Sequence, residues 1–80
     1  MSGKFPDANY RDVSLVAKEL GFYFYRQAKG DHEIWRRDRD SRQTTIPNHG
    51  RKSLKRKTLK SILNDLNVTG KTFLEIRSRV

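Results

Sequence analysis

The chain has 80 residues, with 18 Lys and Arg against 9 Asp and Glu for a formal net charge of +9, and it contains no cysteine. A chain this short folds as one domain around a small core, which excludes a large cofactor cleft. The lack of cysteine excludes a disulfide frame, a Cys-ligated zinc and a thiolate nucleophile, and fits a reducing cytoplasm. The charge calls for a polyanionic partner, and its clustering favours nucleic acid over a merely soluble basic domain.

Residues 1–10, with Gly3, Pro6 and Asn9, hold turn formers without a period and read as a flexible leader. The folded domain is expected over residues 11–77, with a tail at 78–80. Val13, Val16, Ala17 and Leu20 fall at i, i+3, i+4 and i+7, the apolar stripe of an amphipathic helix that Gly21 stops. Three strands follow: Phe22 to Gln27, His32 to Arg37 after the turn Ala28-Lys29-Gly30-Asp31, and Arg42 to Ile46 after Asp38-Arg39-Asp40-Ser41. Turns this short make an antiparallel meander with one face for helices to cover. In the first strand the phenylalanines Phe22 and Phe24 are expected in the core, leaving Tyr23 and Tyr25 as contacts.

Leu59, Ile62, Leu63 and Leu66 repeat the helical stripe, giving a second helix from about Thr58 to Leu66. Thr69 can start a short third helix over Thr72 to Arg77, anchored by Phe73, Leu74 and Ile76. The expected class is α+β in the order α-β-β-β-α with an added short helix. No apolar run approaches the ~18 residues of a membrane span, and the N-terminus lacks a hydrophobic signal core.

His32 opens the second strand, where the pleat fixes its direction and Gly30 lets a substrate backbone come close. An imidazole moves a proton near neutral pH and can serve as the general base of RNA cleavage, or simply make a structural hydrogen bond. Alternation places His32 with Ile34 and Arg36 on one face, and Glu33 with Trp35 and Arg37 on the other, so Arg36 is the better-placed cation, with Lys29 near in the turn. His49, in the loop after Pro47, is a phosphate contact or a second acid-base group. The run Arg51 to Lys60 holds six of the eighteen basic residues and leads into the second helix. As a solvated face it would do nothing, but at a helix N-terminus Lys52, Lys55, Arg56, Lys57 and Lys60 suit phosphate. No His or carboxylate pair sits at metal-ligand spacing, so neither metal nor other cofactor is expected.

Leu20-Gly21-Phe22, Arg26-Gln27, Gly30-Asp31-His32-Glu33-Ile34-Trp35, Thr45-Ile46-Pro47-Asn48-His49 and Thr58-Leu59-Lys60-Ser61-Ile62-Leu63, in this order, resemble the HicA toxins, the small mRNA interferases of HicA-HicB toxin-antitoxin systems. The resemblance spans residues 11–74. It implies a fold like that of double-stranded-RNA-binding domains, metal-independent endoribonuclease activity on mRNA, and an acidic HicB-like antitoxin that covers the active site, with DNA reached only through that complex. It places the family's catalytic His on His32 and its Pro-x-His segment on Pro47 to His49. The chain departs from the family at Asp31, where Ser is usual, which sets a negative charge beside the imidazole and against phosphate.

Two other readings compete. A non-catalytic double-stranded-RNA-binding module would use the Lys-rich helix start against phosphates and needs no His32. A DNA-binding repressor component is disfavoured, because the second helix leaves Lys60, Ser61, Asn64 and Asp65 outward, a weak base-reading set.

Overall fold

The protein is described here by a computed structural model covering residues 5–80. Helix α1 (Tyr10–Glu19) leads into β1 (Tyr23–Gln27), β2 (His32–Arg37) and β3 (Arg42–Pro47), followed by α2 (Arg56–Leu66) and α3 (Gly70–Arg77). The sheet is antiparallel in the order β1-β2-β3. This is the expected α+β architecture in α-β-β-β-α order, with the third helix present.

Of the expected leader, residues 1–4 lie outside the described residues. Ala8 is buried, and the Leu54 N–H donates to its carbonyl at 2.8 Å. Asn9 caps α1 in a reciprocal capping box with Asp12, which starts the helix at Tyr10, one residue before the expected Arg11. The α1 stripe of Val13, Val16 and Ala17 meets Leu59, Ile62, Leu63 and Leu66 from α2 and Phe73 and Ile76 from α3 in one core. Leu74, expected as an anchor, is exposed instead, because the turn of α3 that buries Phe73 and Ile76 carries Leu74 away from them. Arg77 ties α3 to the N-terminal segment, donating to the Asp7 carbonyl at 2.8 Å.

The helices cover the sheet face that carries Glu33, Trp35, Arg37, Thr44 and Ile46, all buried. The other face carries His32, Ile34 and Arg36 from β2. It also carries Gln43, Thr45 and Pro47, their partners in β3. Phe22 is buried as expected, whereas Phe24 is 48% exposed. Phe24 sits opposite Trp35 on the covered side and touches its ring edge-on, but β1 is the sheet edge and its register slips between Phe24 and Arg26, so the core stops short of it.

Two buried charges are paired within the fold. The Arg37 guanidinium donates to the Leu20 carbonyl at 2.7 Å and to both Asp40 oxygens at 3.1 and 2.8 Å. That bonding holds the Asp40 carboxyl below its ordinary range. Gly21, at φ +94°, makes the turn that lets Arg37 pass, since a Cβ there would stand 3.3 Å from the Arg37 Cδ. Glu33 accepts from the Tyr10 hydroxyl at 2.7 Å and from the Trp35 indole N–H at 2.9 Å on one oxygen, and from the Asn48 amide at 3.4 Å on the other. It thereby joins α1, β2 and the loop after β3.

Candidate functional site

The β2–β3 register decides what His32 faces. His32 pairs with Pro47, and the Asn48 backbone N–H donates to the Asp31 carbonyl at 2.9 Å, so His49 comes alongside Asp31. His49 Nε2 lies 3.1 Å from Asp31 Oδ2, and His32 Nε2 lies 3.9 Å from Asp31 Oδ1. One carboxylate therefore stands between two imidazoles, and all three side chains are substantially exposed, at 47% for Asp31, 54% for His32 and 40% for His49.

The backbone behind this trio is held at several points. The Gln27 amide donates to the carbonyls of Gly30 and His32 at 3.1 and 2.9 Å, and the Ala28 N–H donates to the His32 carbonyl at 2.8 Å. Gly30 adopts φ +64° with open space beside it, so the glycine answers to the left-handed turn and leaves room next to Asp31. The Glu33–Asn48 bond and the Asn48 side chain's acceptance from the Gly50 N–H at 3.2 Å fix the loop that carries His49.

His32 and His49 line a cleft of about 590 Å³ between the β3 edge and α2. Lys55 and Lys57 stand on its α2 wall beside Thr58, Ser61 and Asp65. Among the described residues no side chain caps the α2 N-terminus at Lys55 or bonds its first-turn N–H groups, and that end of the helix favours negative charge. The helix is pinned against the strand farther along, where the Thr44 hydroxyl donates to Asp65 Oδ2 at 2.9 Å and Arg42 donates to the Asp65 carbonyl at 3.2 Å.

Of the residues singled out from sequence, the structure brings His32, His49, Lys55 and Lys57 to this one cleft. The others lie elsewhere. Arg36 lies on the uncovered sheet face, over the Tyr25 ring at 5.2 Å and 3.4 Å from Asp38. Arg56 turns to the Phe5 ring at 5.3 Å, Lys29 is exposed in the β1–β2 turn, and Lys52 and Lys60 are exposed outside the cleft lining. Sequence reasoning missed the Asp31–His49 contact and the Thr58, Ser61 and Asp65 wall. The available signal was strand pairing, since a β2–β3 hairpin closed over 38–41 returns the chain beside Asp31 at residues 48 and 49.

Among the described residues no group of three His, Cys, Asp or Glu is placed to hold a metal ion, and no helix is long and apolar enough to cross a membrane. No curated protein matches the sequence closely enough to count as a relative. The family model described as the HicA toxin of bacterial toxin-antitoxin systems matches residues 10–68, which include both histidines, the whole sheet and all of α2. Because that match takes in most of the chain, the protein belongs to the HicA toxins of bacterial toxin-antitoxin systems, a family that implies an antitoxin partner.

Proposed function

We propose that this toxin is a metal-independent endoribonuclease that cuts mRNA in the cleft between β3 and α2. The observation that carries the reading is the pair of imidazoles facing one basic cleft. His32, on the rigid start of β2, takes the proton from a ribose 2′-hydroxyl, and the 2′-oxygen attacks the adjacent phosphorus. Lys55, Lys57 and the N–H groups at the start of α2 stabilise the charge that builds on the phosphoryl oxygens. The bond from phosphorus to the 5′-oxygen breaks, and protonated His49, held at Nε2 by Asp31, gives that oxygen its proton. The products are a 2′,3′-cyclic phosphate and a 5′-hydroxyl. Lys29, Arg36, Lys52, Arg56 and Lys60 lie outside the cleft and extend the cationic surface along which the RNA backbone runs. An acidic HicB-like antitoxin would inhibit the enzyme by covering the cleft, and the reaction belongs in the cytoplasm, where mRNA is translated.

Purified protein and its His32→Ala variant, incubated with a defined RNA in EDTA, test this. Cleavage by the wild type alone, leaving cyclic phosphate ends, is the expected result. RNA cut equally well by His32→Ala would remove the base from the mechanism. Equal, salt-sensitive binding by both with no cleavage would turn the reading to a non-catalytic RNA-binding module. A two-histidine mechanism gives a bell-shaped rate profile whose alkaline limb disappears in His49→Gln. A profile unchanged by that substitution would leave His49 as a phosphate contact only.

A further inference from the structure

The sheet face that the helices leave uncovered carries two aromatic rings with no core to fill. Tyr25 is 49% exposed and Tyr23 is 41% exposed, although aromatic side chains of this size usually bury most of their surface. Their rings lie edge-on with centroids 6.4 Å apart, and the Arg36 guanidinium lies over Tyr25 at 5.2 Å. Tyr25 owes its place to the slip in the β1 register. Phe24 pairs with Trp35 and Arg26 with Ile34, so Tyr25 is the extra residue of a bulge, pushed out of the ladder. Tyr23 is held in position by its hydroxyl, which donates to Asp38 Oδ1 at 2.9 Å.

These rings stand on the same face as His32. Tyr23 lies opposite Arg36, and Arg36 and His32 alternate with Ile34 on β2. Arg36 lies four residues along the strand from His32, a distance of roughly 13 Å at the usual rise. Ile34 lies between them on the same face and pairs with Thr45.

We infer that this face is a stacking platform for the bases of single-stranded RNA, holding the strand that reaches His32. The inference rests on the proposed nuclease reading for the identity of its ligand. Every base has a π-face, and bases stack on exposed aromatic rings set among cations. Arg36, over Tyr25, and Arg26, paired with Ile34 of this face, supply those cations within a chain of net charge +9, and Asp38 on this face is already engaged by Tyr23 and Arg36. A duplex keeps its bases stacked inside and cannot offer them to Tyr25. A second copy of this basic chain would bring its own cations against the same face.

The test uses a labelled 2′-O-methyl oligonucleotide, which has no free 2′-hydroxyl and is bound without being cut, as a single strand and as its duplex. Fluorescence anisotropy is expected to give tighter binding of the single strand, a loss on the order of tenfold in Tyr25→Leu, and near-normal binding in Tyr25→Phe. The tyrosine ring protons of the wild type should move upfield on titration with the single strand. Single-strand binding unchanged in Tyr25→Leu, or unmoved ring protons, would overturn the platform. So would concentration-dependent self-association that Tyr25→Leu abolishes while RNA affinity stays the same. Cleavage assays separate the two readings. Wild type that cuts RNA as proposed while Tyr25→Leu binds normally refutes the platform alone, and wild type that never cuts but loses binding in Tyr25→Leu refutes the nuclease alone.

Discussion

Asp31 and Glu33 flank His32 in the chain, and their surroundings are opposite. Glu33 is 8% exposed and has its oxygens occupied by Tyr10, Trp35 and Asn48. Asp31 is half exposed, and the groups facing it are two imidazoles whose charge depends on protonation. Glu33 lies within β2, whose pleat carries it into the core, whereas Asp31 belongs to the turn before that strand and stays outside beside the two imidazoles. A buried charge with both oxygens engaged is a structural fastener, whereas an exposed one beside titratable groups is available for chemistry.

The strongest way to break that distinction is to exchange the expected consequences on either side of it. His32→Ala should lower RNA cleavage by about 10²- to 10⁴-fold, the usual contribution of a general base, and leave the thermal unfolding midpoint in place. Glu33→Ala should do the reverse in kind, costing about 3 kcal/mol of stability in urea unfolding, because it strands the buried Trp35 N–H and the partly buried Tyr10 hydroxyl. A Glu33→Ala protein as stable as the wild type would show that the buried network is not what joins α1 to β2.

The same contrast explains what was legible in the sequence. Alternation along His32 to Arg37 sorted that strand's faces correctly, because a period of two needs no knowledge of the partner strands. The stripes of α1 and α2 were equally plain. What escaped depended on pairing or on edges. Tyr25 stands outside the core as expected, but the bulge that places it and the sheet edge that exposes Phe24 leave no local mark in a run of four aromatics. The start of α2 at Arg56, two residues before the expected Thr58, has no side-chain cap to announce it. The Asp31–His49 contact exists only once the β2–β3 register sets His32 opposite Pro47.

Asp31→Ala sharpens the comparison with a smaller effect. Removing this exposed carboxylate should change stability by no more than about 0.5 kcal/mol. It should tighten RNA binding a few-fold at low salt, since it deletes a negative charge from a cationic cleft, and the gain should fade as salt is raised. A loss of stability comparable with that of Glu33→Ala would place both carboxylates in one structural network and end the division between them.

The finest test reads the buried side through pH. Burial, the hydrogen bond to Glu33 and the charge of Glu33 together push the Tyr10 hydroxyl up from about 10 to about 12. The folded protein thus holds the Tyr10 proton after the unfolded chain has released it. The contribution is fully present below the unfolded value near pH 10 and is lost as pH rises through the folded value. Tyr23 has its own raised value from the bond to Asp38, so the comparison is between wild type and Tyr10→Phe. Urea midpoints measured between about pH 9 and pH 12 should fall more steeply in the wild type, and Tyr10→Phe should show a flatter limb. The difference will be small because the ring is only partly covered and water screens its charge. Parallel curves for the two proteins would mean that the Tyr10–Glu33 bond does not outlast deprotonation of the unfolded chain, and that α1 is held to the sheet by its apolar stripe alone.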